Sequence, residues 1–419
     1  MSAPGENQQA GAPAAQQDER APASVLLVTP LWGRDGGVAA HVEQSAAALA
    51  REGLEVNVLA ARVSSTSGQP PGVKVHRRPE LLDARAPVAS RLGEAVAANC
   101  ELAHVHQVDD LAIVEALRAR APVVISAHGF PGCTSGVYYF SPGHECSRAH
   151  GPGCIPNLLL KGCAHTRYPR TLPAKYMNVT RGLHVLRRAD LVVSYSSAVD
   201  RHLAANGLAR RAVIPYFPTT AVHRGSGHET RRRVVFAGRL VRPKGIDVLI
   251  EAAAEVDAEF VICGDGRREA KLRALARRLG VERRVRFAGW MDAEQLAEEF
   301  ANASLVVVPS LWPEPFGIVG IEALAAGRPA VGSATGGIVD WLKDGVCGTT
   351  VPPGDARALA RALAELLDDP ERQRAMGAAG RELVARRFSA ESHVASVLQA
   401  YRSALARWRS QRGQARQAA

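Results

Sequence analysis

Two glutamates with seven residues between them, Glu314 and Glu322, are the strongest chemical signal in the sequence. Glu314 has a proline on each side, and because proline resists helix formation, this glutamate is expected in a loop. Apolar residues then recur at helical spacing over residues 316–324, which predicts a helix that ends near Gly327. The two carboxylates are therefore expected on either side of a loop-to-helix junction.

The start of this predicted helix could bind an anion. The amides of Gly317, Ile318 and Val319 would be unpaired N–H donors at the positive end of the helix dipole. Glu322 would lie further along the helix, where its carboxylate could accept hydrogen bonds from vicinal hydroxyls such as those of a ribose. An anion site beside a diol acceptor indicates a nucleotide. The plainer alternative is a surface loop and an amphipathic helix with two solvated glutamates.

A second motif reads G-R-L-V-R-P-K-G from Gly238 to Gly245, directly after a predicted strand. Gly238 would let the backbone approach a ligand, while Arg239 and Lys244 would converge at the start of a helix. Two cations there could neutralise a diphosphate as it leaves. The alternative is that both side chains are solvated ends of a loop.

These motifs resemble the donor-site signatures of the retaining glycosyltransferases of family 4. The family pattern E-x-F-G-[ILV]-x-x-x-E-A-[ML]-A-x-G-x-P-V is matched almost throughout from Glu314 onwards, and G-R-L-x-x-x-K-G is matched residue for residue. The resemblance implies that Glu314 holds hydroxyls of the donor sugar, that Glu322 holds the ribose, and that Arg239 and Lys244 bind the donor phosphates. It also implies an α/β protein of the GT-B fold, in which two doubly wound Rossmann-like domains face each other across a cleft.

The same resemblance completes the candidate site. His128 follows a predicted strand, and many family members have a histidine there that contacts the donor sugar near its reacting carbon. We expect it to orient the sugar rather than transfer a proton; the alternative is a structural hydrogen-bonding histidine. The implied catalytic residues are His128, Arg239, Lys244 and Glu314. The implied donor-binding residues are Gly37, from a glycine pair in the first strand-to-helix turn, and Gly238, Gly264, Phe316, Gly317, Ile318, Val319 and Glu322.

The turn from Gly264 to Gly266 also raises the alternative of an NAD-dependent oxidoreductase. It reads G-D-G, but a dinucleotide fingerprint needs a third glycine, and position 269 is a glutamate. The family has a similar turn beside the nucleotide base. The broken fingerprint therefore favours a transferase over an oxidoreductase.

Strands and helices alternate along both halves of the chain. Apolar segments, each followed by a turn and a helical stretch, predict strands at 24–29, 55–61, 102–106, 122–127, 190–195, 234–237, 259–263, 284–288, 305–308 and 329–332. Ligands of such doubly wound sheets bind outside the carboxyl ends of the strands, here in a cleft between two domains. We expect a disordered tail over 1–23, an acceptor-side domain over 24–218 and a donor domain over 219–390. The resemblance implies that a helix within 391–419 packs back on the first domain, followed by a basic tail.

Composition limits the partners. The chain has 419 residues, 47% of them hydrophobic, and a formal charge of +11. No apolar run approaches the roughly 20 residues of a membrane span, and the tail lacks the apolar core of a secretion signal, so a cytoplasmic location is expected. The positive charge fits nucleotide diphosphates or peripheral contact with an anionic inner membrane surface. Specific nucleic-acid binding is not expected, because no aromatic interleaving or nucleic-acid-binding module accompanies the arginines.

Four of the seven cysteines, Cys133, Cys146, Cys154 and Cys163, lie in an insert over residues 129–180. Their spacing is irregular, unlike the C-x-x-C pairs of many zinc sites, and stable disulfides are not expected inside a cell. One structural zinc, with histidines of the insert as substitute ligands, is one hypothesis, and free thiols in a folded loop are the other. Because the insert would border the cleft, it could help select the acceptor.

The expected function is retaining transfer of a hexosyl group from a UDP- or GDP-linked sugar. The acceptor would be a hydroxyl of an unidentified glycan, lipid-linked or small-molecule compound, and the chemistry would need no metal or other cofactor. The diphosphate would leave towards Arg239 and Lys244 and would take the proton of the acceptor. Two alternatives to this transferase remain: the NAD-dependent oxidoreductase, and a protein that binds a nucleotide sugar without turning it over.

Overall fold

Two parallel β-sheets, each covered by helices, make up the computed structural model of the chain. It describes residues 20–33, 36–65, 67–93, 100–133, 146, 148–160, 169–219 and 232–417. Most of the predicted tail and part of the cysteine-containing insert, including Cys163, lie outside the described residues.

The first sheet has seven strands in the order β3-β2-β1-β4-β5-β6-β7, all parallel. The strands are β1 (Ser24–Trp32), β2 (Glu55–Val63), β3 (Val73–Arg77), β4 (Leu102–His106), β5 (Val123–Ala127), β6 (Leu191–Ser194) and β7 (Arg211–Val213). The strand order reverses between β1 and β4, so the carboxyl ends of these two strands flank the crevice where doubly wound sheets bind ligands.

The second sheet has six parallel strands in the order β10-β9-β8-β11-β12-β13. The strands are β8 (Arg233–Ala237), β9 (Glu259–Cys263), β10 (Val285–Gly289), β11 (Leu305–Val308), β12 (Ala330–Ser333) and β13 (Gly348–Val351). Its order reverses between β8 and β11. The loops after these two strands contain Arg239 and Glu314, so the second sheet places both at its ligand-binding edge.

Helices cover both sheets, as expected for the predicted α/β class. They are α1 (Gly37–Arg51), α2 (Val88–Leu92), α3 (Leu111–Arg118), α4 (Cys154–Leu160), α5 (Leu172–Arg188), α6 (Ser197–Ala205), α7 (Ile246–Ala252), α8 (Glu269–Arg278), α9 (Ala293–Ala301), α10 (Ile318–Ala325), α11 (Ile338–Trp341), α12 (Ala356–Leu367), α13 (Pro370–Arg387) and α14 (Ala390–Gln417). Short 3-10 helices span Pro79–Leu82, Pro169–Thr171 and Arg242–Lys244. Among the described residues, no helix is long and apolar enough to cross a membrane.

The two halves share a continuous apolar core where they meet. Trp32 at the end of β1, Phe316 before α10 and Trp341 in α11 are each at most 1% exposed and belong to one cluster of buried residues. The C-terminal helix α14 contributes Tyr401 to this cluster, and the Tyr401 hydroxyl lies 2.8 Å from Nδ1 of His104 in β4. Helix α14 therefore packs on the first sheet, although it follows the second sheet in the chain.

Candidate active site

The junction between β11 and α10 carries much of the candidate site. Helix α10 begins at Ile318, two residues after the predicted start, because Gly317 caps it with a left-handed φ of +88° that favours glycine. The preceding residue, Phe316, is buried, and its carbonyl accepts a 2.7 Å hydrogen bond from Nε1 of Trp341. The amides of Ile318 and Val319 have no earlier helical carbonyl to bond. Because the chain before them is held in place, the directions of these two N–H groups are held as well.

Glu314 is a buried carboxylate, 3% exposed, whose Oε1 accepts three hydrogen bonds. The donors are Nζ of Lys244 at 2.7 Å, Oγ of Ser310 at 2.6 Å and Nε1 of Trp312 at 3.0 Å. Burial alone would raise the pKa of Glu314, but the charge of Lys244 and these hydrogen bonds outweigh burial and lower the pKa below its usual value. Glu314 is therefore an anion at neutral pH, with Lys244 as its counter-charge.

Gly336 and Gly337 hold the main chain around Glu314. The amide of Gly337 donates to the carbonyl oxygen of Glu314 at 2.7 Å, and a Cβ on Gly336 would lie 2.4 Å from that oxygen. A Cβ on Gly337 would lie 2.9 Å from Cβ of Ser196, which belongs to the first domain. The glycine pair therefore lets the Glu314 loop, the start of α11 and the first domain approach closely.

Arg239, unlike Lys244, is exposed, and its guanidinium has no hydrogen-bond or ion-pair partner among the described residues. The loop that carries it depends on Gly238, which has a φ of +151°. A Cβ on Gly264 would lie 2.1 Å from the carbonyl oxygen of Gly238, so close backbone packing explains the G-D-G turn. Contact of Gly264 with a nucleotide-sugar donor stays a prediction. Arg239 is a cation that a ligand at this edge of the second sheet could reach.

A second helix start faces the first from the opposite domain. Helix α1 begins at Gly37, and a Cβ on Gly37 would lie 3.6 Å from Cδ1 of Ile318 at the start of α10. Gly36 caps α1 with a φ of +127°. The positive ends of two helix dipoles therefore meet across the domain interface, an arrangement that an anion between them would stabilise.

Glu322 is also buried, at 6% exposure, and it is bonded by the segment that links the two domains. Its Oε1 accepts from Oγ1 of Thr219 at 2.7 Å and from the backbone N–H of Thr219 at 3.2 Å. The carbonyl oxygen of Thr219 accepts from Nε2 of Gln44, in α1, at 2.6 Å. Neither Thr219 nor Gln44 was predicted as a site residue, since polar residues in a linker and on a helix carry no specific signal.

His128 belongs to a network of histidines and tyrosines in the first domain. Its Nδ1 lies 2.6 Å from the hydroxyl of Tyr216 and its Nε2 lies 3.0 Å from Nδ1 of His106. Burial, followed by the proximity of His106, lowers the pKa of His128 well below its usual value, so the imidazole is neutral at pH 7. A neutral ring with both nitrogens engaged is compatible with an orienting role and with the structural alternative, so contact with a sugar stays a prediction.

The rest of this network was not predicted. His104 lies 2.8 Å from Ser126, and His41 lies 3.3 Å from Ser45, which in turn is 3.4 Å from His393 of α14. The available signal was the H-V-H repeat at the end of β4, because residues two apart in a strand share a face. The rings of His104 and His106 do lie together, with centroids 4.1 Å apart.

Gln107 is a further residue that the sequence did not indicate. It follows β4 at the reversal point of the first sheet and has a φ of +55°, and no other non-glycine residue among those described has a positive φ. Its side chain is exposed. Strained backbone of this kind is enriched at ligand-binding positions, which makes Gln107 a candidate contact on the first-domain side of the crevice.

The described cysteines of the insert give no support to a zinc site. Cys133 and Cys146 pack against the apolar core of the first domain, and Cys154 begins α4. Within the described ranges, no group of three or more Cys, His, Asp or Glu residues could hold a metal ion. Cys163 lies outside those ranges, so the zinc hypothesis remains a prediction.

Two family models match the chain, one on each half. The model described as Glycosyltransferase Family 4 matches residues 35–217, and the model described as Glycosyl transferases group 1 matches residues 219–383. The chain is similar to D-inositol 3-phosphate glycosyltransferase of Arthrobacter sp. (strain FB24), with 29% identity over 90% of this chain and 92% of that protein. It is also similar to alpha-D-kanosaminyltransferase of Streptomyces kanamyceticus, with 36% identity over 39% of this chain. That match covers 43% of the relative, less than half of its length.

Two solved structures resemble the whole arrangement. Sucrose-phosphate synthase of Thermosynechococcus elongatus aligns with a TM-score of 0.68 and 22% identity, covering 90% of this chain and 98% of that chain. HepE of Anabaena, solved in complex with UDP-glucose, aligns with a TM-score of 0.65 and 20% identity, covering 90% and 99% of the two chains. At these identities the likeness concerns the fold.

Proposed function

The chain belongs to the glycosyltransferases of group 1 and family 4 and has their GT-B fold, and from this premise we propose that it is a retaining enzyme that uses a nucleoside-diphosphate sugar. It moves the sugar from a UDP- or GDP-linked donor to an acceptor hydroxyl. The observation that carries the proposal is the pair of Lys244 and Glu314, 2.7 Å apart beside the start of α10. The cation suits the diphosphate half of such a donor, and the carboxylate suits the hydroxyls of the sugar half.

Both domains offer hydrogen-bond donors to the diphosphate. The starts of α1 and α10 supply backbone amides, among them those of Gly37, Ile318 and Val319. Arg239 and Lys244 supply positive charge that stabilises the diphosphate as its bond to the sugar breaks. Because these cations neutralise the leaving group, the proposed chemistry requires no metal and no other cofactor.

The remaining side chains hold the other parts of the donor. Glu314 accepts hydrogen bonds from the sugar, Glu322 accepts them from the ribose, and His128 orients the sugar from the first domain. During transfer, the bond between the anomeric carbon and the phosphate oxygen breaks, and the acceptor oxygen bonds to the same face of that carbon. The acceptor proton passes to the leaving phosphate oxygen. Configuration is retained and the proton is accounted for without a protein base.

The donor and the acceptor are proposed as classes. HepE was solved with UDP-glucose, which makes a UDP-sugar the first donor to test. The acceptor, a glycan, lipid-linked or small-molecule hydroxyl, is assigned to the crevice of the first sheet, where Gln107 follows β4. A cytoplasmic location with contact to an anionic inner membrane surface would accord with the net charge of +11.

Thermal unfolding with a ligand panel tests the donor site. UDP, GDP, ADP and NAD are each added at about 100 times a plausible Kd, where a bound ligand stabilises the folded state by about 2.7 kcal/mol. We expect stabilisation by UDP or GDP that is lost in Glu322→Ala. Stabilisation by NAD alone would contradict the proposal and favour an oxidoreductase.

Turnover is tested by release of the nucleoside diphosphate from its sugar conjugate. We expect release in the presence of a chelator and none in Lys244→Ala, because that variant lacks the half-buried cation proposed to stabilise the leaving group. Binding without any release, across a broad set of acceptor alcohols, would favour a nucleotide-sugar-binding protein. A strict requirement for a divalent ion in the chemical step would contradict metal independence.

A structural zinc in the insert is a separate proposal that rests on the sequence alone, which has four cysteines within residues 129–180. Metal analysis of the purified chain tests it, because a structural zinc remains bound through purification. About one equivalent of zinc is expected if the proposal holds. Less than about a tenth of an equivalent would leave the free-thiol alternative.

A further inference from the structure

Thr219 uses three polar groups to connect the two domains. Its hydroxyl and backbone N–H donate to Oε1 of Glu322, which lies in α10 of the second domain. Its carbonyl oxygen accepts from Gln44, which lies in α1 of the first domain. One linker residue is therefore bonded both to the carboxylate assigned to the ribose and to the helix whose start faces the diphosphate.

We propose that Thr219 is a positioning residue for the donor nucleotide. It fixes the Glu322 carboxylate in the orientation that receives the ribose, and it makes that orientation depend on the placement of α1 relative to α10. The inference rests on the function proposed above and adds to it a residue whose type and position no donor motif specifies.

The geometry at Glu322 explains how positioning works. Oε1 of Glu322 accepts two hydrogen bonds from Thr219, at 2.7 and 3.2 Å, and together these bonds hold the carboxylate in one orientation. The terminal torsion of a glutamate is otherwise broad, so a carboxylate held beforehand loses less conformational freedom when the nucleotide binds.

The bond to Gln44 extends this effect to the domain interface. Gln44 and Gly37 belong to the same helix, so any displacement of the α1 start away from α10 also displaces Gln44. Such a displacement must stretch the 2.6 Å bond to Thr219 or move Thr219 away from Glu322. Nucleotide binding at Glu322 and close approach of the two helices therefore favour each other.

The central variant is Thr219→Val, which removes the hydroxyl but keeps the side-chain shape and the backbone amide. Thr219→Ser returns the hydroxyl. The matched control is Thr180→Val, which removes an exposed hydroxyl of α5 that donates to the carbonyl of Tyr176 at 3.0 Å and lies 2.9 Å from Nε2 of His150. For each chain, calorimetry gives the Kd of UDP and GDP and of their 2′-deoxy and 3′-deoxy forms.

We expect Thr219→Val to weaken binding of the preferred nucleotide about tenfold, since one hydrogen bond to a charged group is lost. Thr219→Ser and Thr180→Val should bind within about twofold of the parent chain. The specific signature is the deoxy penalty, which is the factor by which the Kd rises when a ribose hydroxyl is removed from the nucleotide. Removing a ribose hydroxyl from the ligand should weaken binding to the parent chain more than to Thr219→Val, because the variant no longer holds the carboxylate for it.

Gln44→Leu tests the connection to α1. It removes the donor to Thr219 while leaving the two bonds to Glu322 in place. We expect a loss in nucleotide affinity of about threefold with a largely preserved deoxy penalty, since Glu322 is still oriented. Unchanged affinity in Gln44→Leu would overturn the coupling between ribose binding and domain placement.

The remaining outcomes separate this inference from the proposed function. If the parent chain binds neither UDP nor GDP, the proposed function fails and the inference fails with it. If the parent chain binds and Glu322→Ala does not, but Thr219→Val matches the parent in affinity and deoxy penalty, the function stands and the role of Thr219 is overturned. An equal loss for ribose and deoxyribose ligands in Thr219→Val would also overturn it, because the effect would not involve the ribose.

Discussion

Asp340 accepts two hydrogen bonds from Ser197 across the domain interface, at 2.7 Å from the backbone N and 2.6 Å from Oγ. Asp340 lies in α11, directly after the glycine pair that supports Glu314, and Ser197 begins α6 in the first domain. The preceding residue, Ser196, caps α6, since its hydroxyl oxygen accepts a 3.2 Å hydrogen bond from the backbone N–H of Val199. The positive end of the α6 dipole further favours a carboxylate at this position. The contact therefore fixes α11 against the first domain beside the candidate donor site.

Asp340→Ala should weaken the domain interface because it removes both acceptors of Ser197. Hydrogen bonds to charged groups contribute more than neutral ones, and we expect the free energy of unfolding to fall by about 2 kcal/mol in urea titrations. Ser197→Ala keeps the backbone bond to Asp340 but removes the hydroxyl, which also accepts from the exposed Arg201 at 3.1 Å, and it should lose about half as much. In the double variant the two losses should be less than additive, since the pair shares one interaction; full additivity would contradict a direct coupling.

Lys244→Met should separate the structural role of the Lys244–Glu314 pair from its chemical role. Glu314 would remain as a buried charge without its counter-charge, so the free energy of unfolding should fall by about 3 kcal/mol in urea titrations. Adding Glu314→Gln should restore most of this stability, because the amide oxygen can still accept from Ser310 and Trp312. Sugar transfer should be absent in both variants. Undiminished stability in Lys244→Met would show that water screens Glu314.

The sequence predicted the interior of both sheets better than their edges. All ten predicted strands are present within a few residues, but β3, β7 and β13 were missed, and each lies at a sheet edge. Edge strands are only partly covered, so they lack the continuous apolar runs of central parallel strands. Strand β3 reads V-K-V-H-R, with one buried residue at its start.

The donor side of the candidate site could be predicted because most of its residues fall into two short motifs, Gly238–Gly245 and Glu314–Glu322, and each motif is local in the sequence. Glu314 and Glu322 flank one junction, and the pattern around them is local. Contacts between the domains could not be predicted in this way. Thr219 is separated by 103 residues from Glu322 and by 175 residues from Gln44. Their meeting depends on how the two sheets are placed relative to each other, and no short pattern encodes that placement.

Gly320→Ala and Gly182→Ala should have opposite effects, although both glycines lie within helices. A Cβ on Gly320 would lie 2.1 Å from Cη2 of Trp341, whereas a Cβ on Gly182 would have no neighbour within 4 Å. Trp341 is fully buried and bonded to Phe316, so it cannot yield without moving the start of α10. In urea titrations, Gly320→Ala should lose about 1–3 kcal/mol and Gly182→Ala should gain about 0.5–1 kcal/mol. A gain in Gly320→Ala would show that Trp341 leaves room at this position.

Two buried histidines should make the fold sensitive to acid. Burial and the neighbouring His393 lower the pKa of His106 to about 3. Burial lowers the pKa of His393 to about 4, although its hydrogen bond to the carbonyl of Pro215 acts in the opposite direction. Above the ordinary value of about 6.5, neither the folded nor the unfolded chain protonates these rings. As pH falls from about 6.5 towards the folded-state values, the unfolded chain binds protons that the folded chain does not, so stability decreases with falling pH.

His393→Gln should reduce this acid sensitivity. At pH 5, each histidine of this kind lowers the free energy of unfolding by about 2 kcal/mol relative to pH 7, and glutamine, which does not titrate, removes one such contribution. The amide of glutamine can still donate a hydrogen bond near Pro215, which limits other losses. Urea titrations at pH 5, 6 and 7 should therefore show a shallower decline in the variant, while His184→Gln, at an exposed position of α5, should leave the decline unchanged. An equally steep decline in His393→Gln would mean that its ring is already protonated within the folded protein at pH 5.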